Sequence, residues 1–294
     1  MPLYALGLVL ISALLHASWN VATKGSSSPT AFMLTMEGVA VVLYLPVLAL
    51  GFVPAEIPRE VWFCIGASAV THSLYAYWLT RGYAHGDLSL VYPIARSTPA
   101  VLPLLAVPLL GETVSWLGGL GIGLVVVGMW AIQTEGRLRA KEFLSTGAIF
   151  AYLTLLTTVV YSLVDKHAVQ LLDAATWTGR APRVLVYIAL FELMFVPLFF
   201  VLAMRSVSVA EVLKTARSEG KLAIAGAAIG MLSYALALEA LRSAPVSYVV
   251  AVRQSSVLFA AVLGAIWLRE RSGWVRMLGI AATIGGVAVI SFYA

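Results

Sequence analysis

Two arginines, Arg96 and Arg253, stand inside runs of sequence that are otherwise apolar. A charged side chain at the centre of a bilayer costs about 2.5 kcal/mol or more, so such residues turn to the protein interior and are functional candidates by default. Two guanidiniums at comparable depth would clamp a carboxylate, phosphate or phosphonate through bidentate hydrogen bonds, which points to an anionic or zwitterionic ligand. The competing reading pairs each arginine with an internal acid, for which Glu37, Glu192 and Glu239 are the candidates. Ser89, Tyr92, Arg96 and Pro103 recur at three-, four- and seven-residue steps, placing them on one helical face, and Gln254 follows Arg253 directly. Pro93 and Pro99 add breaks to the backbone ladder of that segment.

Other polar side chains interrupt apolar runs in the same way. In THSLYAYWLTRG, His72, Tyr75 and Leu79 share a face, and an aromatic wall there would suit an aromatic or amphipathic solute; Trp78, near the helix end, fits an interfacial belt equally well. In SALLHASWNVATKG, His16 and Asn20 are four apart and Trp19 flanks them, giving the helix a wet stripe for a cavity or an interhelical hydrogen bond. His16 and Glu37 are candidates for proton coupling, with His72 a further one, since histidine titrates near neutrality and intramembrane acids relay protons.

The elements that position these residues are membrane helices. The chain is 61% hydrophobic and only 11% charged, with a mean hydropathy of +0.94, whereas soluble domains carry about a quarter charged residues. A span needs about 20 apolar residues, and the sequence offers runs at 3–23, 30–50, 60–80, 88–110, 116–133, 146–165, 184–203, 221–241, 246–268 and 274–293. That predicts an all-α integral membrane protein of ten helices. The runs are continuous and about twice the length of barrel strands, which excludes a β-barrel. No Lys or Arg precedes the first run, so it reads as a retained span rather than a signal peptide. The single cysteine, Cys64, rules out an intramolecular disulfide and reads as a small core residue.

The net charge of +5 reports orientation through its placement. Lys24, Arg81, Arg137, Arg139, Lys141, Arg205, Lys214, Arg217, Lys221, Arg269, Arg271 and Arg276 fall in the odd-numbered connections, against Arg59, Lys166, Arg180, Arg183 and Arg242 in the even ones. Taken alone, that bias turns both termini away from the cytoplasm.

The chain is also internally duplicated. SLVYPIARSTPAVLPLLAVPLLGETVSWLGGLGIGLVVVGMWAI aligns without gaps to SYVVAVRQSSVLFAAVLGAIWLRERSGWVRMLGIAATIGGVAVI. The alignment sets Ser89 on Ser247, Ser97 on Ser255, Glu112 on Glu270, Trp116 on Trp274, Gly121 on Gly279 and Gly128 on Gly286; Arg96 meets Gln254 and Arg253 meets Ala95. WNVATK at 19–24 lies on YSLVDK at 161–166. The halves are therefore 1–135 and 145–294, and five helices per half make the second copy an inverted repeat of the first. Inverted halves that exchange conformations open a central cavity to each face in turn. Gly119-xxx-Gly123 and Gly226-xxx-Gly230 fit close helix packing.

The first helix ending ASWNVATK, the fourth ending in a Leu-Leu-Gly-Glu turn and its copy ending Leu-Arg-Glu resemble, in order and spacing, the EamA branch of the drug/metabolite transporter superfamily. That resemblance implies a secondary active transporter of the bacterial-type inner membrane, an exporter of amino acids, organic anions or drugs, with both termini in the cytoplasm, in conflict with the charge bias. A multidrug exporter, a lipid-linked sugar flippase and a passive channel are the alternatives, and a homodimer is left open. The sequence lacks HExxH, GxSxG, P-loops and metal-spaced acids, which argues against an enzyme. It implies no cofactor, no metal and no nucleic-acid partner; its partners are the bilayer, a small-molecule substrate and, where coupling applies, the proton.

Overall fold

The computed structural model describes residues 1–86, 88–135, 140–259 and 273–293, and every regular element among them is helical. In chain order these are α1 (Leu3–Gly25), α2 (Pro29–Gly51), α3 (Arg59–His85), α4 (Leu88–Ala95), α5 (Thr98–Leu110), α6 (Trp116–Thr134), α7 (Thr146–Ala174), α8 (Arg183–Ala203), α9 (Val209–Leu241), α10 (Val246–Arg253) and α11 (Trp274–Tyr293). Local chemistry sets their ends. The hydroxyls of Ser115, Ser145 and Ser208 accept from the amides of Gly118, Ala148 and Glu211 and so cap α6, α7 and α9. Proline stands immediately before α3, α8 and α10, where its fixed φ starts the helix. Gly111, with φ +65°, closes α5 in the left-handed conformation that glycine adopts without strain.

Eight segments are long and apolar enough to cross a bilayer, with α4 and α5 counting as one of them. The protein is thus a multi-pass membrane protein. α3 is long enough but too polar to be counted with them, because Ser68, Thr71, His72, Ser73 and three aromatic hydroxyl or indole side chains occupy its middle. Two elements outrun their apolar runs: α7 continues to Ala174 and α9 begins at Val209. Lys166, assigned to a connection from the sequence, consequently lies inside α7 and is buried. Residues 260–268 of the ninth predicted span, with Arg269, Glu270 and Arg271, lie outside the described residues.

Packing links the two halves throughout. α1 packs on α9 and α3 on α7; α2 packs on α8 and α9, and α8 packs in turn on α3. α6 lies along α11, and α10 packs on both α1 and α5. The α6–α11 pair runs antiparallel with backbones touching: a Cβ on Gly121 would sit 2.9 Å from the Gly286 carbonyl, and one on Gly128 2.6 Å from the Gly279 carbonyl. Large apolar side chains such as Leu3, Leu50, Phe63, Leu104, Trp116, Trp274 and Phe292 point outward and are exposed. In water such a surface would be unfavourable; in lipid it is the expected exterior.

Candidate functional site

The run predicted as one helix over 88–110 is two. Pro93 and Pro99 remove backbone donors, and a residue preceding proline is disfavoured in the α region, so the ladder lapses at Arg96 and Ser97. The break is stitched by short bonds: the Ser97 amide donates to the Ile94 carbonyl at 3.1 Å and its hydroxyl to the Pro93 carbonyl at 2.8 Å, while the Trp130 indole donates to that hydroxyl at 2.8 Å. The face joining Ser89, Tyr92, Arg96 and Pro103 is therefore interrupted at the arginine. α10 ends at Gln254, the repeat partner of Arg96. Both halves thus break a helix at the same point, and the break in each carries an arginine at or next to it.

Arg96 and Arg253 line one small cavity together with Tyr75, Thr98, Tyr161 and Gln254. Arg96 Nη2 lies 2.7 Å from His16 Nε2 and its guanidinium stands over the Tyr92 ring at 5.1 Å. A guanidinium only donates, so His16 Nε2 accepts, and the ring is neutral with its proton on Nδ1. Nδ1 is buried and has no partner. Arg253 stands over the Tyr234 ring at 5.5 Å, and its Nε is buried without a hydrogen-bond partner. Neither arginine has an acid within ion-pair distance among the described residues. Of the acids proposed to neutralise them, Glu239 pairs with Arg242 at 2.6 Å, and Glu37 lies with Glu192 and Tyr44 where α2 packs on α8.

A second pocket continues the first, sharing Tyr161, Ser162, Val250 and Arg253 and adding Asp165 and Tyr234. Asp165 is only 1% exposed and accepts three hydroxyl bonds. Ser68 and Tyr187 donate to its Oδ1 at 2.7 and 2.6 Å, and Tyr234 donates to its Oδ2. The Tyr234 hydroxyl also meets His72 Nε2 at 3.1 Å. The His72 ring is stacked on Tyr161 at 4.0 Å and on Phe191 at 5.1 Å. Asp165, Tyr161 and Tyr234 were not selected from the sequence, although an acid well inside an apolar run was the available signal.

The remaining sequence candidates fall around this centre or outside it. Tyr75 lines the cavity and meets the edge of Tyr161 at 5.8 Å. Trp19 contacts His16 edge-on at 5.0 Å, and Asn20 Nδ2 turns back to the His16 carbonyl at 2.7 Å, so both support the histidine without lining either pocket. Trp78 is stacked on Phe150 at 5.7 Å. Glu37 is outside both pockets.

A solved structure described as "Crystal structure of protein" superposes with a TM-score of 0.77 at 16% identity, covering 99% of each chain, and so shares the fold. No curated protein matches the chain. The model of the EamA-like transporter family matches residues 3–134 and again 146–292, once for each half. Two copies of that model account for nearly every residue that builds the broken helices and their polar centre, and the chain belongs to the EamA-like transporter family.

Proposed function

We propose that this protein is a secondary active transporter for a small polar metabolite bearing a carboxylate or similar anionic group, an amino acid or organic anion, and that it works by alternating access. The observation that carries the reading is the meeting of Arg96 and Arg253 at one cavity, held by His16, Tyr92 and Tyr234 rather than by acids. Two half-buried cations set by neutral partners leave a site of positive potential in a low dielectric, where an anion is the complementary ligand. Tyr75 and Gln254 are the neighbouring donors and wall; His72, Trp19 and Asn20 act from behind the lining.

Ten transmembrane helices in two inverted five-helix repeats, 1–135 and 145–294, fit the packing. α6 and α11 are equivalents in the sequence repeat and run antiparallel. The contacts of α1 with α9 and of α3 with α7 correspond under an exchange of halves, as do those of α2 with α9 and of α8 with α3. Such halves rock about a shared centre. Export across a bacterial-type inner membrane is the direction the family suggests, and a proton is the coupling ion proposed.

A binding and counterflow screen of the purified protein against amino acids, organic anions and cationic drugs tests the reading, with Arg96→Ala alongside. Anions or zwitterions should bind, and Arg96→Ala should weaken them at least about tenfold, the lower range for losing a charge-assisted pair. Binding of cations that survives Arg96→Ala would replace this reading with a multidrug exporter.

A further inference from the structure

The hydrogen bonds joining Ser68, Asp165, Tyr234 and His72 cannot all form unless the group holds one proton beyond those of a hydroxyl, an ionised carboxylate, a phenol and a neutral imidazole. His72 Nδ1 lies 2.9 Å from the Ser68 carbonyl, which only accepts, and 3.1 Å from the Ser68 hydroxyl, whose one proton goes to Asp165 Oδ1 at 2.7 Å, so Nδ1 carries a proton. Tyr234 has a single hydroxyl proton for two partners, Asp165 Oδ2 and His72 Nε2. If that proton goes to Asp165, the 3.1 Å contact with Nε2 needs a second ring proton, and His72 is an imidazolium. If it goes to Nε2, the contact with Oδ2 needs a proton on Asp165. Either way one extra proton is present.

We infer that Asp165, Tyr234 and His72 form a single-proton binding site that bridges the two halves of the protein. The two arrangements interconvert without loss of atoms or charge: Asp165 gives its proton to the Tyr234 oxygen as Tyr234 gives its own to Nε2, so the phenol is regenerated and one proton has crossed from carboxyl to imidazole. When the proton leaves altogether, one contact of the network must open: the tie from Tyr234 to His72 or to Asp165, or, if the remaining ring proton moves to Nε2, the bond from Nδ1 to Ser68. His72 belongs to α3 in the first half; Asp165 and Tyr234 belong to α7 and α9 in the second. The proton is thereby held in a network that spans the halves which alternating access has to rearrange.

The surroundings suit that task. α10 contributes Arg253 over the Tyr234 ring, α8 contributes the Tyr187 hydroxyl, and α7 contributes Tyr161 against the imidazole. Cys64 is the titratable group of α3 within electrostatic reach of Asp165. Lys166, next in the chain, is directed away to the Leu241 and Ala244 carbonyls at 2.5 and 3.0 Å. His16 does not serve in this way, because its bond from Arg96 requires a neutral ring. The proton site stands on this geometry alone; its use as the coupling site rests on the transport reading.

The test uses the full chain in lipid nanodiscs, without any substrate, scanned from about pH 5 to 9, the range in which histidine changes charge. Ring nitrogen NMR, with the His72 resonances assigned by their loss in His72→Gln, is combined with infrared difference spectra in which the Asp165 band is assigned by its loss in Asp165→Asn. We expect both probes to report one shared proton-loss midpoint, and Tyr234→Phe to separate them by about one pH unit or more. An imidazole whose Nε2 stays unprotonated beside an Asp165 that stays ionised throughout would overturn the proposal. So would two midpoints that are already independent in the wild type, a result that needs no variant to fold. Because no substrate enters the experiment, its failure leaves the transport reading standing, and failure of the anion screen leaves the proton site standing.

Discussion

At the residue scale, the orientation of Arg96 depends on a neutral partner. His16 Nε2 accepts at 2.7 Å, and an acceptor is what this position has to supply. His16→Leu removes it and leaves a buried guanidinium donor without a partner, a loss of about 1.5–3 kcal/mol for a hydrogen bond to a charged group. We expect His16→Leu to weaken binding of the proposed anion about tenfold or more, and His16→Gln, whose side-chain carbonyl restores an acceptor, to keep most of it; equilibrium binding to both variants at one pH decides. Equal losses in the two variants would mean that ring packing on Trp19 matters more than the hydrogen bond. This much of the site was legible in the sequence, because a charged or imidazole side chain inside an apolar run is conspicuous. Asp165 was not picked out, though it is more deeply buried than either arginine, because it stands beside Lys166 in YSLVDK and looks there like the end of a span. In fact α7 continues for nine residues past Asp165, to Ala174, and Lys166 finds its partners in two carbonyls rather than in water. Hydrogen-bond partners from three other helices, α3, α8 and α9, complete the Asp165 network, and no local pattern encodes them.

At the element scale, the apolar runs located most helices, because composition over about 20 residues is what the bilayer selects. What they could not show is where polar sequence continues a helix beyond the hydrocarbon, as in the first turns of α9, or where prolines divide one span into α4 and α5. Glycine spacing was misleading in a similar way. Gly119 and Gly123, which matched a packing motif, face open space, whereas Gly118 lies against the Tyr248 ring, and Gly121 and Gly128 touch the α11 backbone. A Cβ at 2.6 Å from a carbonyl oxygen cannot be relieved by rotating a flexible side chain, so the helices themselves must separate. We therefore expect Gly128→Ala to destabilise the protein by about 1–3 kcal/mol, the usual range for overpacking. Gly119→Ala should leave it unchanged or raise stability by about 0.5–1 kcal/mol through the helical preference for alanine. Unfolding of the detergent-solubilised protein, compared between the two, separates a packing interface from a lipid-facing stripe; equal effects would place both glycines in the same environment.

At the scale of the whole molecule, one set of hydrogen bonds between halves lies at the end of the bundle where α11 finishes. There Glu112, in the turn between α5 and α6, accepts from the Val246 and Ser247 amides and the Ser247 hydroxyl at the start of α10. The Tyr248 hydroxyl accepts from the Ser115 amide at 3.0 Å, while within the second half Lys166 fastens α7 to the Leu241 and Ala244 carbonyls just ahead of α10. A carboxylate at a helix N-terminus gains from both unpaired amides and the helix dipole, so Glu112 is the strongest single tie of the group. It also joins the first half to the broken helix that carries Arg253. If the halves rock to open the cavity, this tie has to be made and broken in every cycle, and weakening it should favour the form open at this end. In a Cys64→Ser background, spin labels at the exposed positions Trp116 and Ser243 report the separation across the tie. We expect Glu112→Ala to lengthen and broaden that distance distribution, and Glu112→Asp, with a shorter reach to the same amides, to produce a smaller change. An unaltered distribution in Glu112→Ala would mean that Tyr248 and the other contacts between halves, such as that of Thr178 with Glu56, hold the end closed. The opening motion would then hinge elsewhere, with the proton-holding network of His72, Tyr234 and Asp165 as the next contact between halves to test.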